Sequence, residues 1–527
     1  MSIGDEVVGL EFFLRTSCKR GYNEGPMTRR YFSWFLVFVL GACAARGPGD
    51  SAREFYDPDE SRLPAAEVKP YRLKGDCDGF PRIIDVKTAP GLCLGLVDNN
   101  SARGNENSSP SIPMRRPRAI MAYGQDLILV DMAGWQQLKG QVFLLKKRDD
   151  GKYRRFLLLD FAELPAEKRR LLYMPSTIQL GPDGKVWVGA AGSIIRFDPQ
   201  VALFKGDASA VYENPRQVEN RRIVRSGIEV VLDNLPYKAW GNSRSDSLHP
   251  LKPFVFSNDG SALYLGIGAS TDNCGSDHRP RDKCAEAEAS SDREIEAHAA
   301  IYRYRLDANF RPVGDPVLVA RGLRNSLAMA VHPQTGELYQ GENSRDIRGA
   351  THASRLAPAD ELNIVRDGEH YGWPYCVGFD DVQREYVGGG WNCSSYAAPH
   401  LLLPPHGAPL QMLFYTGSKL PAWYLNKLVI PFHGREQFGH RIATFDVGSD
   451  GRPTGALLDM VYAWGSAANP AAPLGTPMGI AQAADGSLFI VEDQAKRIVR
   501  LSVLPSEGTG LPKAASADQE WIRHHAR

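Results

Sequence analysis

Charge of one sign is missing from this chain in any excess. Lys and Arg total 62 against 61 Asp and Glu, a net charge of +1. So even a balance gives no steering toward nucleic acid or an acidic surface. The aromatic residues are scattered without a basic patch among them, which argues against nucleic-acid binding. Long apolar runs are missing too. The one run placed to meet a membrane, Tyr31 to Leu40 (YFSWFLVFVL), is too short to span a bilayer. No two cysteines are spaced CxxC, so zinc has poor support. Helix-period stretches are few; the clearest, AEAEASSDREIEAH after Cys284, reads as an insertion on one face.

What is present begins with an export pattern. Met27-Thr28-Arg29-Arg30 is a short basic head, Tyr31 to Leu40 an apolar core, and Leu40-Gly41-Ala42 a small-residue cleavage site. Cys43 directly follows, which resembles the bacterial lipobox and implies lipidation of Cys43. Residues Met1 to Pro26 carry acids and Cys18, so Met27 reads as the true start. The expected organisation is a mis-assigned start plus signal peptide over 1–43, a Gly/Pro/acid-rich tether over 44–75, an all-β domain over 76–503 and a tail over 504–527. The place expected is the bacterial cell envelope, lipid-anchored, at the outer membrane facing the periplasm or the cell surface.

The cysteines agree with export to an oxidising compartment. Beyond Cys18 and Cys43, the rest fall into three local couples: Cys77 with Cys93, Cys274 with Cys284, and Cys376 with Cys393. Six cysteines permit many pairings, and the neighbours are the simplest one.

A repeated unit organises the remainder. A short apolar segment, a turn with Asp-Gly or a similar pair, and a second apolar segment recur at Ala119, Ile178, Phe254, Leu327 and Gly479, with a divergent copy from Leu413 to the KLVIPFHG run at Lys427. Asp-Gly between apolar runs signals a hairpin. Further strand-like stretches follow, as in SIIRFD from Ser193, AIYRYRLD from Ala300 and RIVRLSV from Arg497. Three or four short strands repeated about six times predict a six-bladed β-propeller with loop insertions; a β-sandwich would not space its turns so regularly.

Three segments carry a more specific resemblance: ARGLRNSLAMAVHPQTGELYQGENSRD, ADELNIVRDGEHYGWPYCVGFDD and PPHGAPLQMLFYTG. In this order and spacing they resemble the glucose/sorbosone dehydrogenases, six-bladed propellers that use pyrroloquinoline quinone (PQQ) and calcium. The resemblance spans roughly Ile84 to Val503. It implies oxidation of a sugar or related hydroxyl compound, with hydride passing to the quinone and an electron acceptor still to be identified. It makes His249 the general base, a role that suits an imidazole. It implies that Arg324 and Asn325 contact the cofactor, the guanidinium pairing with its carboxylates, together with Asn343 and, more loosely, Arg435. It places the cofactor's calcium at the main-chain oxygens around Ser344 and Arg345, and a structural calcium at Glu361, the Tyr371 carbonyl and Asp381. Without the resemblance, these would read as a loop histidine, a surface arginine and solvated acids.

The departures are as specific. Ser326 stands for the family's Pro, and Ser344-Arg345 for its usual Gly-Pro pair. Gly475-Thr476-Pro477 lacks the Arg that the family places before this Pro, and Pro250 stiffens the loop after His249. Two other functions stay open: a propeller without cofactor serving as a carbohydrate-binding or scaffold domain, and a calcium-dependent sugar-lactone hydrolase. The latter needs a cluster of acidic and Asn side chains at the channel, for which Glu342 and Asn343 are the only candidates.

Overall fold

The computed structural model describes residues 69–100, 113–134, 140–204, 215–237, 248–274, 284–288, 298–345, 357–434, 438–464, 474–504 and 511–513. Cys43 and Arg435 lie outside these residues.

Six blade sheets follow one another along the chain, antiparallel except where Glu369–His370 adds parallel to Val317–Arg321 in the third, and a two-stranded hairpin stands apart from them. The first blade is Pro117–Tyr123, Asp126–Asp131, Gln141–Lys147 and Tyr153–Asp160. The second is Thr177–Leu180, Val186–Ala190, Ser193–Phe197 and Glu229–Leu232. The third opens with Phe254–Phe256 and Ala262–Ile267, the fourth with Ala328–Val331 and Leu338–Glu342. The fifth opens with Leu413–Phe414 and Leu428–Phe432, the sixth with Pro477–Gln482 and Leu488–Glu492. Every repeat unit read from the sequence is thus the inner hairpin of one blade. In the Asp-Gly turns, Gly184 (φ 73°) and Gly260 (φ 69°) take the left-handed conformation that such tight turns demand.

Alternation along the strands explains why blades stack. Ile128 and Val130 face the second blade's Val186 and Val188, whereas Leu127 and Leu129 face the sixth blade's Phe489 and Val491. Trp187, between Val186 and Val188, turns the other way, onto Phe254 and Leu263 of the third blade. With side chains alternating between sheet faces, a strand buried on both sides is apolar throughout. The ring closes through the sixth blade, where Leu92–Asp98 pairs antiparallel with Arg497–Val503. Lys87–Thr88 adds to the fifth blade beside Pro453–Tyr462. All three expected disulfides are formed: Cys77–Cys93, Cys274–Cys284 and Cys376–Cys393.

One element was not legible. Helix Pro215–Ser226 (PRQVENRRIVRS) sits between the last two strands of the second blade. Its buried positions include Gln217, Asn220 and Arg221, so no apolar period marks it. Arg221 is held by Glu163 at 2.8 Å and Asn220 by the Leu203 carbonyl at 2.9 Å. Among the described residues, no helix is long and apolar enough to cross a membrane.

Candidate active site at the mouth of the channel

Among the first strands, Pro117–Tyr123 packs beside Thr177–Leu180 and Pro477–Gln482, and Ala328–Val331 beside Phe254–Phe256 and Leu413–Phe414. Because each pairs antiparallel with its second strand, the segment entering the first and the segment leaving the second meet at one end. Entering segments hold His249, Arg324-Asn325 and Thr476; leaving segments hold Asp272, Asn343 to Arg345 and Asp493. Residues far apart in sequence therefore converge on one mouth.

His249 is buried, with Nδ1 2.8 Å from the Ala269 carbonyl. That carbonyl can only accept, so Nδ1 carries the proton and Nε2 presents a lone pair. Gly268 permits the approach, since a Cβ there would lie 2.5 Å from the His249 Cβ. Burial, and then the charge of Arg324, push the imidazole pKa down to about 3. The ring is therefore neutral over the whole physiological range.

Ala269 links this histidine to the next blade through its N–H, which donates to the Arg324 carbonyl at 2.8 Å. The Arg324 guanidinium donates to Asp272 Oδ1 from Nη2 at 2.6 Å, and to the Asn343 and Ser344 carbonyls from Nη1 at 2.7 and 3.4 Å. Arg345 reaches the other Asp272 oxygen at 3.0 Å and Glu385 at 2.5 Å. Burial works to raise the Asp272 pKa, but Arg324 and Arg345 hold it below the usual carboxylate range. Trp373 completes the surround, its indole N–H donating to the Asp272 carbonyl at 3.0 Å. Asp272, Glu385 and Trp373 were not legible as partners, because nothing in their spacing signals that three loops meet there. Asn325 contributes backbone, its N–H 3.2 Å from Glu342 Oε1. Asn343 Oδ1 is buried with no hydrogen-bond partner, an acceptor left for a ligand or water.

This geometry tests the two calcium readings. At Ser344, the carbonyl that would ligate the ion accepts from the Arg324 guanidinium, as does that of Asn343, with the Arg345 guanidinium alongside on Asp272. A cation there would have to displace the Arg324 guanidinium, although Asp272 and Glu385 answer the charges of Arg324 and Arg345. Glu361, Tyr371 and Glu342 line, together with Arg324, Ser344 and Arg345, a cavity of about 10 Å³, the room of a single water or ion. Glu361 accepts from the Gly378 N–H at 2.6 Å and from Asn363 at 3.3 Å. Burial raises the Glu361 pKa to about 7; burial and the Glu361 charge raise that of Glu342 to about 8. Two confined carboxyls that resist ionising are the chemistry a hard cation relieves. Asp381 is exposed on the Cys376–Val382 hairpin, where its Oδ2 lies 3.6 Å from the position of a Cβ on Gly378. Among the described residues, no three His, Cys, Asp or Glu side chains converge as a metal cluster.

The mouth of this six-bladed propeller thus combines a neutral histidine with clamped arginines. The family match follows: residues 242–436 match the model described as Glucose / Sorbosone dehydrogenase, the family whose resemblance the GLRN and DELN…YGWP segments carry. A pyrroloquinoline quinone-dependent sugar dehydrogenase of Hypocrea jecorina is 25% identical over 226 residues, 37% of this chain and 50% of that protein. An uncharacterized protein of Borreliella burgdorferi is 30% identical over 189 residues, 35% of this chain and 48% of that one. The chain thus spans about half the length of either curated relative. The calcium structure of a Trichoderma reesei Carbohydrate-Active Enzymes Family AA12 protein superposes with TM-score 0.55 at 18% identity, over 80% of this chain and 97% of that one. The holo form of the pyranose dehydrogenase PQQ domain from Coprinopsis cinerea gives 0.52 at 16%, over 81% and 99%. At these identities the solved structures establish the shared fold.

Proposed function

We propose that the protein is a PQQ-dependent dehydrogenase of a sugar or related hydroxyl compound. The carrying observation is His249, held neutral with its Nδ1 proton on the Ala269 carbonyl and joined through the Ala269 N–H to the Arg324 carbonyl. When bound, PQQ would supply the hydride acceptor. This chain's residues do the rest. His249 Nε2 takes the hydroxyl proton as the C–H hydrogen leaves with its electron pair, and the carbon–oxygen double bond forms. A base of such low pKa is weak toward a ground-state hydroxyl. Proton transfer therefore accompanies hydride departure, when the hydroxyl has become acidic. Arg324 is oriented by Asp272 to meet a ligand carboxylate, and Asn343 offers its unpartnered oxygen. Asn325 and Arg435 complete the cofactor contacts in this reading.

Calcium, in this reading, belongs at the Glu361 and Tyr371 cavity, with Asp381 nearby. Export and lipidation at Cys43 place the enzyme on an envelope membrane, passing electrons to an acceptor there. A non-catalytic carbohydrate-binding propeller is the second reading, favoured by Thr476 standing where the family's Arg would be.

Two variants test the assignment. His249→Ala should lower turnover by roughly 10²- to 10⁴-fold while retaining PQQ, the usual contribution of a positioned base. Arg324→Ala should instead weaken PQQ binding through loss of a charge-assisted pair. Full turnover in His249→Ala would remove the histidine from the mechanism.

A further inference from the structure

Two disulfides lie beside the guanidinium clamp, and one of them reaches its central acid. Cys274, bonded to Cys284, stands two residues after Asp272. Asp272 joins both guanidinium groups, Oδ1 to Arg324 at 2.6 Å and Oδ2 to Arg345 at 3.0 Å. None of Ser270 to Cys274 lies in a strand. Where the chain leaves Ala262–Ile267, side chains take the place of a ladder. The Trp373 indole and Arg324 Nε donate to the Asp272 carbonyl at 3.0 and 3.3 Å, and the Tyr386 hydroxyl to the Asn273 carbonyl at 3.2 Å. Cys274 itself has φ 74°, a left-handed conformation that a residue other than glycine adopts only where its surroundings hold it.

The far end of this disulfide is anchored. Cys284 is 1% exposed, and its N–H donates to the Tyr375 hydroxyl at 2.6 Å. Tyr375 is fully buried; its ring stacks on Trp391 with centroids 3.7 Å apart and meets Tyr386 edge-on at 5.2 Å. The second disulfide, Cys376–Cys393, closes the segment that carries Tyr386 and Trp391. Directly before Tyr386 stands Glu385, the other acid on Arg345. One aromatic core therefore backs both acids, and Cys274–Cys284 is the covalent tie from that core to the Asp272 segment. With the tie opened, the segment keeps only hydrogen bonds, each of modest net value. Asp272 fixes two guanidinium groups, so its movement unfixes both. A guanidinium already held in one orientation binds a carboxylate without the cost of being ordered.

We propose that the Cys274–Cys284 disulfide positions Asp272, so that the guanidinium clamp is completed by oxidation and loosened by dithiols. On reduction the S–S bond breaks and two S–H bonds form. The dithiol supplies two electrons and two protons and leaves as its own cyclic disulfide. Cys274 is the most exposed of the six disulfide cysteines, whereas Cys77 and Cys93 are 0% and 1% exposed, so attack reaches the clamp before the sixth blade. The positioning role stands on this geometry alone; its consequence for PQQ rests on the reading above.

The test compares the full-length wild type with Cys274→Ala/Cys284→Ala, and with Cys77→Ala/Cys93→Ala as a control, by hydrogen–deuterium exchange and by fluorescence titration with PQQ. In Cys274→Ala/Cys284→Ala, residues 269–274 and 323–325 should exchange at least tenfold faster, while Ile480 and Val491 of the sixth blade keep their rates. The dissociation constant for PQQ should rise at least fivefold. The control should leave exchange at the clamp and PQQ affinity at their wild-type values. Unchanged exchange at the clamp, or equal acceleration in the sixth blade, would overturn the positioning role. PQQ binding that is unchanged or tighter in Cys274→Ala/Cys284→Ala would overturn its link to the ligand. If no protein binds PQQ, the dehydrogenase reading falls and exchange alone decides the positioning. Should Cys274→Ala/Cys284→Ala not fold, folded wild type is treated with a dithiol, alkylated and mapped. Cys274 and Cys284 should then be modified before Cys77 and Cys93, with the same faster exchange at the clamp. Opening of Cys77–Cys93 first, or native exchange after Cys274–Cys284 has opened, would refute the proposal.

Discussion

Lys252 lies three positions after His249 and is fully buried, its ammonium 2.7 Å from the Pro250 carbonyl. Burial lowers its pKa to about 7 from the usual 10.5. The fold favours the neutral amine. The stability linked to this group is complete above pH 10.5 and is lost as pH falls through about 7. At pH 7 and below, the buried charge costs on the order of a few kcal/mol. Lys252→Met should therefore raise the unfolding free energy at neutral pH and flatten its pH dependence between about pH 7 and 10, as measured by urea denaturation. An unchanged slope would show that another group controls it. The same burial keeps His249 neutral, so residues that look like ordinary loop polars in the sequence acquire their character from the blade packed above them.

At the scale of elements, the hairpins were legible and their meeting places were not. Asp-Gly turns and two-residue alternation identify each inner hairpin, because both signals are local. Helix Pro215–Ser226 escaped because polar side chains fill its buried face. The clamp on Asp272 escaped because Arg324, Arg345 and Glu385 come from loops that only the propeller brings together. His249, Arg324 and Asn343 were found through the family resemblance, since composition and period alone leave them as loop residues. The DELN strand Asp360–Val365 and the Cys376–Val382 hairpin meet at the Glu361 cavity, joined by the Gly378 N–H. Calcium should accordingly raise the thermal unfolding temperature of the wild type and leave that of Glu361→Gln unmoved. A calcium response retained in Glu361→Gln would place the ion elsewhere.

At the scale of the molecule, strand Leu92–Asp98 closes the sixth blade against Arg497–Val503, so both ends of the propeller's chain are fastened in one sheet. The segment before it carries the export pattern, and Cys43 is where we propose the lipid is attached. Cys43→Ser should shift the protein from the membrane to the soluble fraction, and a mature N-terminus upstream of Cys43 would contradict lipidation there. The central proposal is that the loops entering and leaving neighbouring blades converge on one redox cofactor. The most direct measurement is to load purified wild-type protein with PQQ and calcium, remove free quinone by gel filtration, and follow dye reduction across a broad panel of sugars. The account predicts a retained quinone spectrum and dye reduction with at least one sugar. Protein that keeps no quinone and reduces no dye would contradict it and favour the carbohydrate-binding propeller.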